Sequence, residues 1–129
     1  MALPTDANLD LLICDAVRQT ADGKLDLAGF FPTSEVRLDP AAQFPVGVNL
    51  TFVFVFKDGD GQFRPTLRIV DPLGKELHKF EVPELKKEAG QAHILMLPVR
   101  QIPIAHSGNY AISLEIGGQT YRRPVRIFQ

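Results

Sequence analysis

The sequence has no tryptophan, one cysteine and two tyrosines in 129 residues. With Cys14 alone, no intramolecular disulfide can form, and a reducing, cytoplasmic setting is expected. Neither sign of charge is in surplus: 14 Lys and Arg stand against 15 Asp and Glu, for a net charge of −1. That balance gives no field to draw in nucleic acid or an anionic bilayer. Long apolar runs are missing too. The most apolar stretch, residues 50–56, is far too short to span a membrane. The start, Met-Ala-Leu-Pro-Thr-Asp, lacks a basic segment followed by a long apolar one, so no signal peptide is read there. The expectation is a soluble, bacterial-style cytoplasmic protein with no nucleic-acid and no membrane partner.

The patterns that carry common chemistries are also missing. His78, His93 and His106 are isolated in sequence and Cys14 has no cysteine partner, so no spacing supports a zinc site. There is no Walker or dinucleotide glycine pattern, and no cofactor is expected. In Lys57-Asp-Gly-Asp-Gly61, Asp58 and Asp60 are spaced like the first two ligands of a calcium loop. Ile69 stands where such a loop needs its bidentate glutamate, so the stretch reads as a glycine-rich turn. His106 adjoins Ser107, but neighbours in sequence rarely meet as base and nucleophile, and no nucleophile-elbow motif surrounds them. Cys14 reads as a small core residue. Catalysis is not the favoured reading.

What is present is apolar matter in period two. The chain is 45% hydrophobic, with nine phenylalanines. It reads as one domain over residues 1–129, with residues 1–8 a loose N-terminal arm. Leu9 to Val17 is a short apolar run that suggests a strand, with a helix also allowed by its length, and Asp22-Gly23 near the tip of a hairpin leads to a second strand at Leu25. From Val46 to Phe56, Val46, Val48, Leu50, Phe52, Phe54 and Phe56 share one face. The opposite face turns apolar at Val53 and Val55, which predicts a central strand covered at one end. Phe63–Val70, Glu76–Val82, Ala92–Val99, Tyr110–Ile116 and Gln119–Phe128 follow as strands. Leu77 and Phe80 are the expected inward anchors of the second of these. Pro83–Gly90, opened by proline and closed by glycine, predicts a helical turn. Gly117-Gly118 predicts a two-residue hairpin. Pro124 has no N–H for a ladder, which predicts an edge or a bulge.

Residues 95–116 join two of these strands through a corner. Leu97, Val99 and Ile102 precede it, Gly108 lies two residues before Tyr110, and Ile112 lies two after. This pattern resembles the immunoglobulin-like superfamily, in which a corner tyrosine bonds back to the backbone and pins a crossover between sheets. Ile112 stands where antibody domains keep a disulfide cysteine. The resemblance implies an all-β, immunoglobulin-like antiparallel β-sandwich of about 8–9 strands, with at most one short connecting helix and with Gly108 and Tyr110 as the structural corner. A second resemblance lies upstream. Leu12-Ile-Cys-Asp-Ala-Val-Arg, followed by Gly-Lys-Leu-Asp-Leu-Ala-Gly-Phe-Phe, is similar to small uncharacterised bacterial β-sandwich proteins, which brings no activity with it.

The sharpest surface signal is cationic. Arg122 and Arg126 share one face of the last strand, with Arg123 opposite, and Arg64 and Arg68 share a face of another strand. If the two strands lie close, these four residues form a basic patch for a phosphate or carboxylate. The alternative is a solvated sheet face whose arginines shield an edge. The favoured function is a non-catalytic binding or assembly module, acting through a sheet face or edge on a protein partner or a second copy. The alternative is an enzyme or small anionic-ligand binder with a loop pocket that uses the arginines.

Overall fold

The six alternating apolar residues of Val46–Phe56 organise the fold. In the structure, a computed structural model describing residues 2–129, they lie on the middle strand of a three-stranded sheet. The strands in order are β1 (Leu9–Cys14), β2 (Ala16–Gln19), β3 (Leu25–Ala28), β4 (Glu35–Arg37), β5 (Val46–Phe56), β6 (Gly61–Phe63), β7 (Thr66–Val70), β8 (Glu76–Glu81), β9 (Leu85–Lys87), β10 (His93–Ile104), β11 (Gly108–Ile116) and β12 (Gln119–Phe128). The only helical element among the described residues is a 3-10 turn at Asp6–Asn8. The protein is all-β.

Two sheets build the core. One has the order β1-β5-β10, antiparallel throughout. The other has the order β4-β12-β11-β7-β8, antiparallel except where β4 runs parallel to β12. Phe52, Phe54 and Phe56 of β5 join Leu67 and Ile69 of β7, Ile112 and Leu114 of β11, and Val125 and Ile127 of β12 in one buried cluster. Period two puts these residues on the facing sides of the two sheets, which is what joins them. On the outer side of β5, Val53 is fully buried between Leu12 of β1 and Met96 of β10. Val55 is half-buried. The face that turns apolar midway is thus covered by neighbours on both sides.

Several expectations need correction. Leu9–Val17 is not one strand. The chain breaks at Asp15, whose N–H donates to the Ala28 and Gly29 carbonyls, so β2 and β3 leave the sheet as a separate hairpin. Phe63–Val70 divides at Arg64-Pro65 into β6 and β7, which pair in different sheets. Residues 83–90 form no helical turn: Leu85–Lys87 is extended as β9 and pairs with β6. The strand count accordingly exceeds the expected nine. Phe80 is 39% exposed on edge strand β8, a weak anchor beside half-buried Leu77. Pro124 lies inside a paired strand opposite Ala111, but β4 covers β12 only over residues 126–128, so the other side of β12 is open at the proline.

The N-terminal arm is tied rather than loose. Ala2 and Asp60 exchange backbone hydrogen bonds, and the Tyr121 hydroxyl donates to the Pro4 carbonyl. Arg123, on the inner side of β12, reaches out of that sheet. It donates to Asp6 Oδ1 at 2.9 Å, the Asp6 carbonyl at 2.8 Å and the Leu9 carbonyl at 2.8 Å. One guanidinium, with five N–H groups in a planar fork, therefore bridges the two sheets at the start of β1.

Candidate functional site

The corner is built from local chemistry. Tyr110 is buried, and its hydroxyl donates to the His106 carbonyl at 2.6 Å. Burial pushes its phenol up from the usual range. At Gly108, a Cβ would come within 2.6 Å of Pro72 Cγ, so the glycine is needed for close approach to the β7–β8 turn. The ring of His106 tilts over Tyr110. This arrangement positions strands.

The four arginines do not converge. Register aligns Arg122, Ser113 and Arg68 across β12, β11 and β7, and Lys79 of β8 extends the row. Arg68 and Arg122 are thus two strands apart, roughly 10 Å. Arg126 lies farther along β12, opposite Asn109. Arg64 sits outside β7, 3.7 Å from Glu84. Acids meet most of this charge. Arg68 bonds Glu76, and its Nε lies 3.4 Å from Glu115, a charge contact too poorly aligned to be a hydrogen bond. The Glu76 bond, with Glu115 beside it, pushes the Arg68 guanidinium further up. Arg126 lies 3.6 Å from Glu35 and over the Phe128 ring at 4.4 Å. Arg122 alone of the four faces solvent with no acidic partner among the described residues. Alternation along β7 and β12 puts Arg68, Arg122 and Arg126 on one face, which Arg64, outside both strands, does not join. The carboxylates beside them come from other strands and appear only once sheet order is known.

The calcium-like turn has a different role. Asp58 accepts from the Thr5 N–H and hydroxyl and from Asn8 Nδ2, which hold its carboxyl below the usual range. Lys87 is buried and donates to the Gly59 and Glu88 carbonyls. The turn is an anchor for the arm. No group of three or more His, Cys, Asp or Glu side chains that could hold a metal occurs among the described residues.

A concavity lies elsewhere, where the β2–β3 hairpin leaves the three-stranded sheet. It encloses about 440 Å³ between Ala16 and Val17 on one side and Asn49, Met96, Pro98 and Arg100 on the other. A register break between Val99 and Ile102 shapes its rim. Gln101 adopts φ +56°, and its N–H donates to Asn49 Oδ1 at 2.8 Å. Gly47 leaves room for the Gln101 amide, which an added Cβ would strike. Such bulges re-aim side chains. Leu-Pro-Val-Arg-Gln-Ile-Pro carries no glycine or asparagine to announce one, so nothing local marks Arg100.

The last open feature is a strand edge. β10 ends its sheet, and Ile94 is 38% exposed beside half-buried Met96.

An all-β domain of two sheets around one core, with a pinned corner and an open edge, is thus the class of protein at hand. The chain belongs to a family of unknown function, DUF6941, whose family model matches residues 9–127. No curated protein matches it. Among the described residues no helix is long and apolar enough to cross a membrane.

Proposed function

We propose that the protein is a non-catalytic assembly module that pairs with a second copy along the open edge of β10. One observation carries this: from His93 to Leu97 that edge has none of the devices that keep sheet edges apart. Soluble proteins blunt edges with charge, proline or bulges. The other edges have them. β8 carries Glu76, Lys79 and Glu81; Ile13 of β1 is bridged by Phe31, and the Leu9 carbonyl accepts from Arg123. The second half of β10 has Pro98, Arg100, the bulge and Pro103. His-Ile-Leu-Met-Leu is left bare, with Ile94 and Met96 beside Val55, Val53 and Leu12 on the outer face. Antiparallel pairing of two such edges gives a closed, two-fold dimer with a six-stranded sheet.

The same reading makes the fold an immunoglobulin-like sandwich. The orders β1-β5-β10 and β12-β11-β7-β8 follow the A-B-E and G-F-C-C′ arrangement of that superfamily, and the Tyr110 bond to His106 fits its corner. The lone cysteine suits a cytoplasmic setting. Of the four arginines, Arg122 is free to meet an acidic group on a protein partner.

Light scattering across a concentration series tests the proposal on wild type and Ile94→Lys. Wild type is expected to dimerise at micromolar concentration, and the variant to remain monomeric with an unchanged melting temperature. A wild type that stays monomeric throughout would refute the edge, as would an Ile94→Lys variant that still dimerises.

A further inference from the structure

We propose that the groove between the β2–β3 hairpin and the outer face of the three-stranded sheet binds a small aliphatic monocarboxylate, with Arg100 holding the carboxylate. Its volume, about 440 Å³, falls at the small end of the range of ligand cavities. Val17 and Met96 are half-buried and, with Ala16 and Pro98, give it an apolar lining. Such cavities bind by apolar contact and fix orientation with a few polar groups. Here those are Arg100, Asn49, Thr51 and Asp15.

The polar groups differ in what they have left to offer. Asn49 spends its carbonyl oxygen on the Gln101 N–H, and the Thr51 hydroxyl donates to the Asp15 carbonyl at 3.2 Å. Arg100 is exposed at the rim, with no hydrogen bond, ion pair or ring contact among the described residues. A guanidinium in that state takes a carboxylate bidentately. The backbone around it is not a floppy loop. The left-handed Gln101, its bond to Asn49 and the space left by Gly47 hold the bulge that presents Arg100. A non-glycine residue held in that conformation needs such support, and such positions cluster at ligand sites. Asp15 sets the charge limit. It lies on the hairpin wall with its carboxylate against Gly29, so a second negative charge on the ligand would be repelled. The fitting chemistry is one carboxylate on an aliphatic body, in preference to a dicarboxylate or inorganic phosphate.

Hexanoate is the probe, with 1-hexanol, hexylamine, adipate and inorganic phosphate as comparators. Amide chemical shifts of the isotope-labelled protein are followed during each titration, on wild type, Arg100→Gln and Arg68→Gln. Hexanoate is expected to give saturable shifts at Val17, Asn49, Met96 and Arg100. Arg100→Gln should weaken it by roughly tenfold or more, the scale of a charge-assisted bond, while Arg68→Gln leaves it unchanged. Adipate and phosphate should bind more weakly than hexanoate. Arg100 is exposed, so Arg100→Gln is expected to keep its fold, which its spectrum reports directly. The proposal is overturned by shifts that map elsewhere, by hexanol binding as well as hexanoate, by an unaffected Arg100→Gln, or by no saturation at millimolar ligand.

Discussion

Tyr110→Phe removes one oxygen and keeps the packing, so its cost isolates the corner bond. The ring is 1% exposed and the hydroxyl sits 2.6 Å from the His106 carbonyl. Losing a neutral bond of this kind costs about 1–3 kcal/mol when the partner is left unsatisfied. His106 is half-buried, so its carbonyl can recover some hydration, and about 1–1.5 kcal/mol is the fitting part of that range. For 129 residues, an unfolding entropy near 2.1 cal/mol/K per residue sums to roughly 0.27 kcal/mol/K. The variant should therefore melt about 4–6 °C below wild type. Calorimetry measures this, and a drop under about 1 °C would mean that the hydroxyl does not pin the corner. Alkaline titration checks the same group. Burial raises the Tyr110 phenol in the folded state. The unfolded chain thus loses its proton first, so stability is full below pH of about 10 and declines as pH rises above it. Tyr110→Phe should show a smaller alkaline decline.

Arg123→Ala cuts the three bonds to Asp6 and Leu9 and should lower stability by about 1–3 kcal/mol; denaturant midpoints that match wild type would refute the bridging role. Burial, with the charge of Lys87, lowers the His93 imidazole. The unfolded state then protonates first on acidification, so stability should fall as pH drops through about 6.5, and His93→Gln should flatten that slope. Cys14 is fully buried, and that burial raises its thiol. A thiol reagent should label native protein far more slowly than unfolded protein, and equal rates would place the side chain outside the core.

Period two made the all-β class legible, because it depends only on neighbours. The alternation in Val46–Phe56 marks a central strand directly, and two glycines mark the turn between β11 and β12, where both adopt positive φ. Features that depend on distant partners were hidden. Pro83–Gly90 has good local signals for a helical turn, yet Leu85 is buried and the segment pairs with Gly61–Phe63. Burial and ladder bonds overrode local preference there. Arg123 looks like any strand arginine until Asp6 and Leu9 are beside it. Arg68 and Arg126 look like free cations until Glu76, Glu115 and Glu35 arrive from other strands. Arg100 gave no signal because its bulge is held by Asn49 and Gly47, about fifty residues upstream.

The bridge from Arg123 to residues 6 and 9 also sets a timetable. Residues 119–128 supply the parallel partner of β4, the flank of β11 and the clamp on the arm. During synthesis, β1, β5 and β10 can pair first, but the five-stranded sheet that faces them lacks β12 until this stretch appears. Contacts that span most of the chain must form at the end, which makes folding slow and leaves an apolar sheet face uncovered meanwhile. A nascent chain ending before β12 should be digested readily by protease, and protection should arrive in one step once residue 128 clears the ribosome.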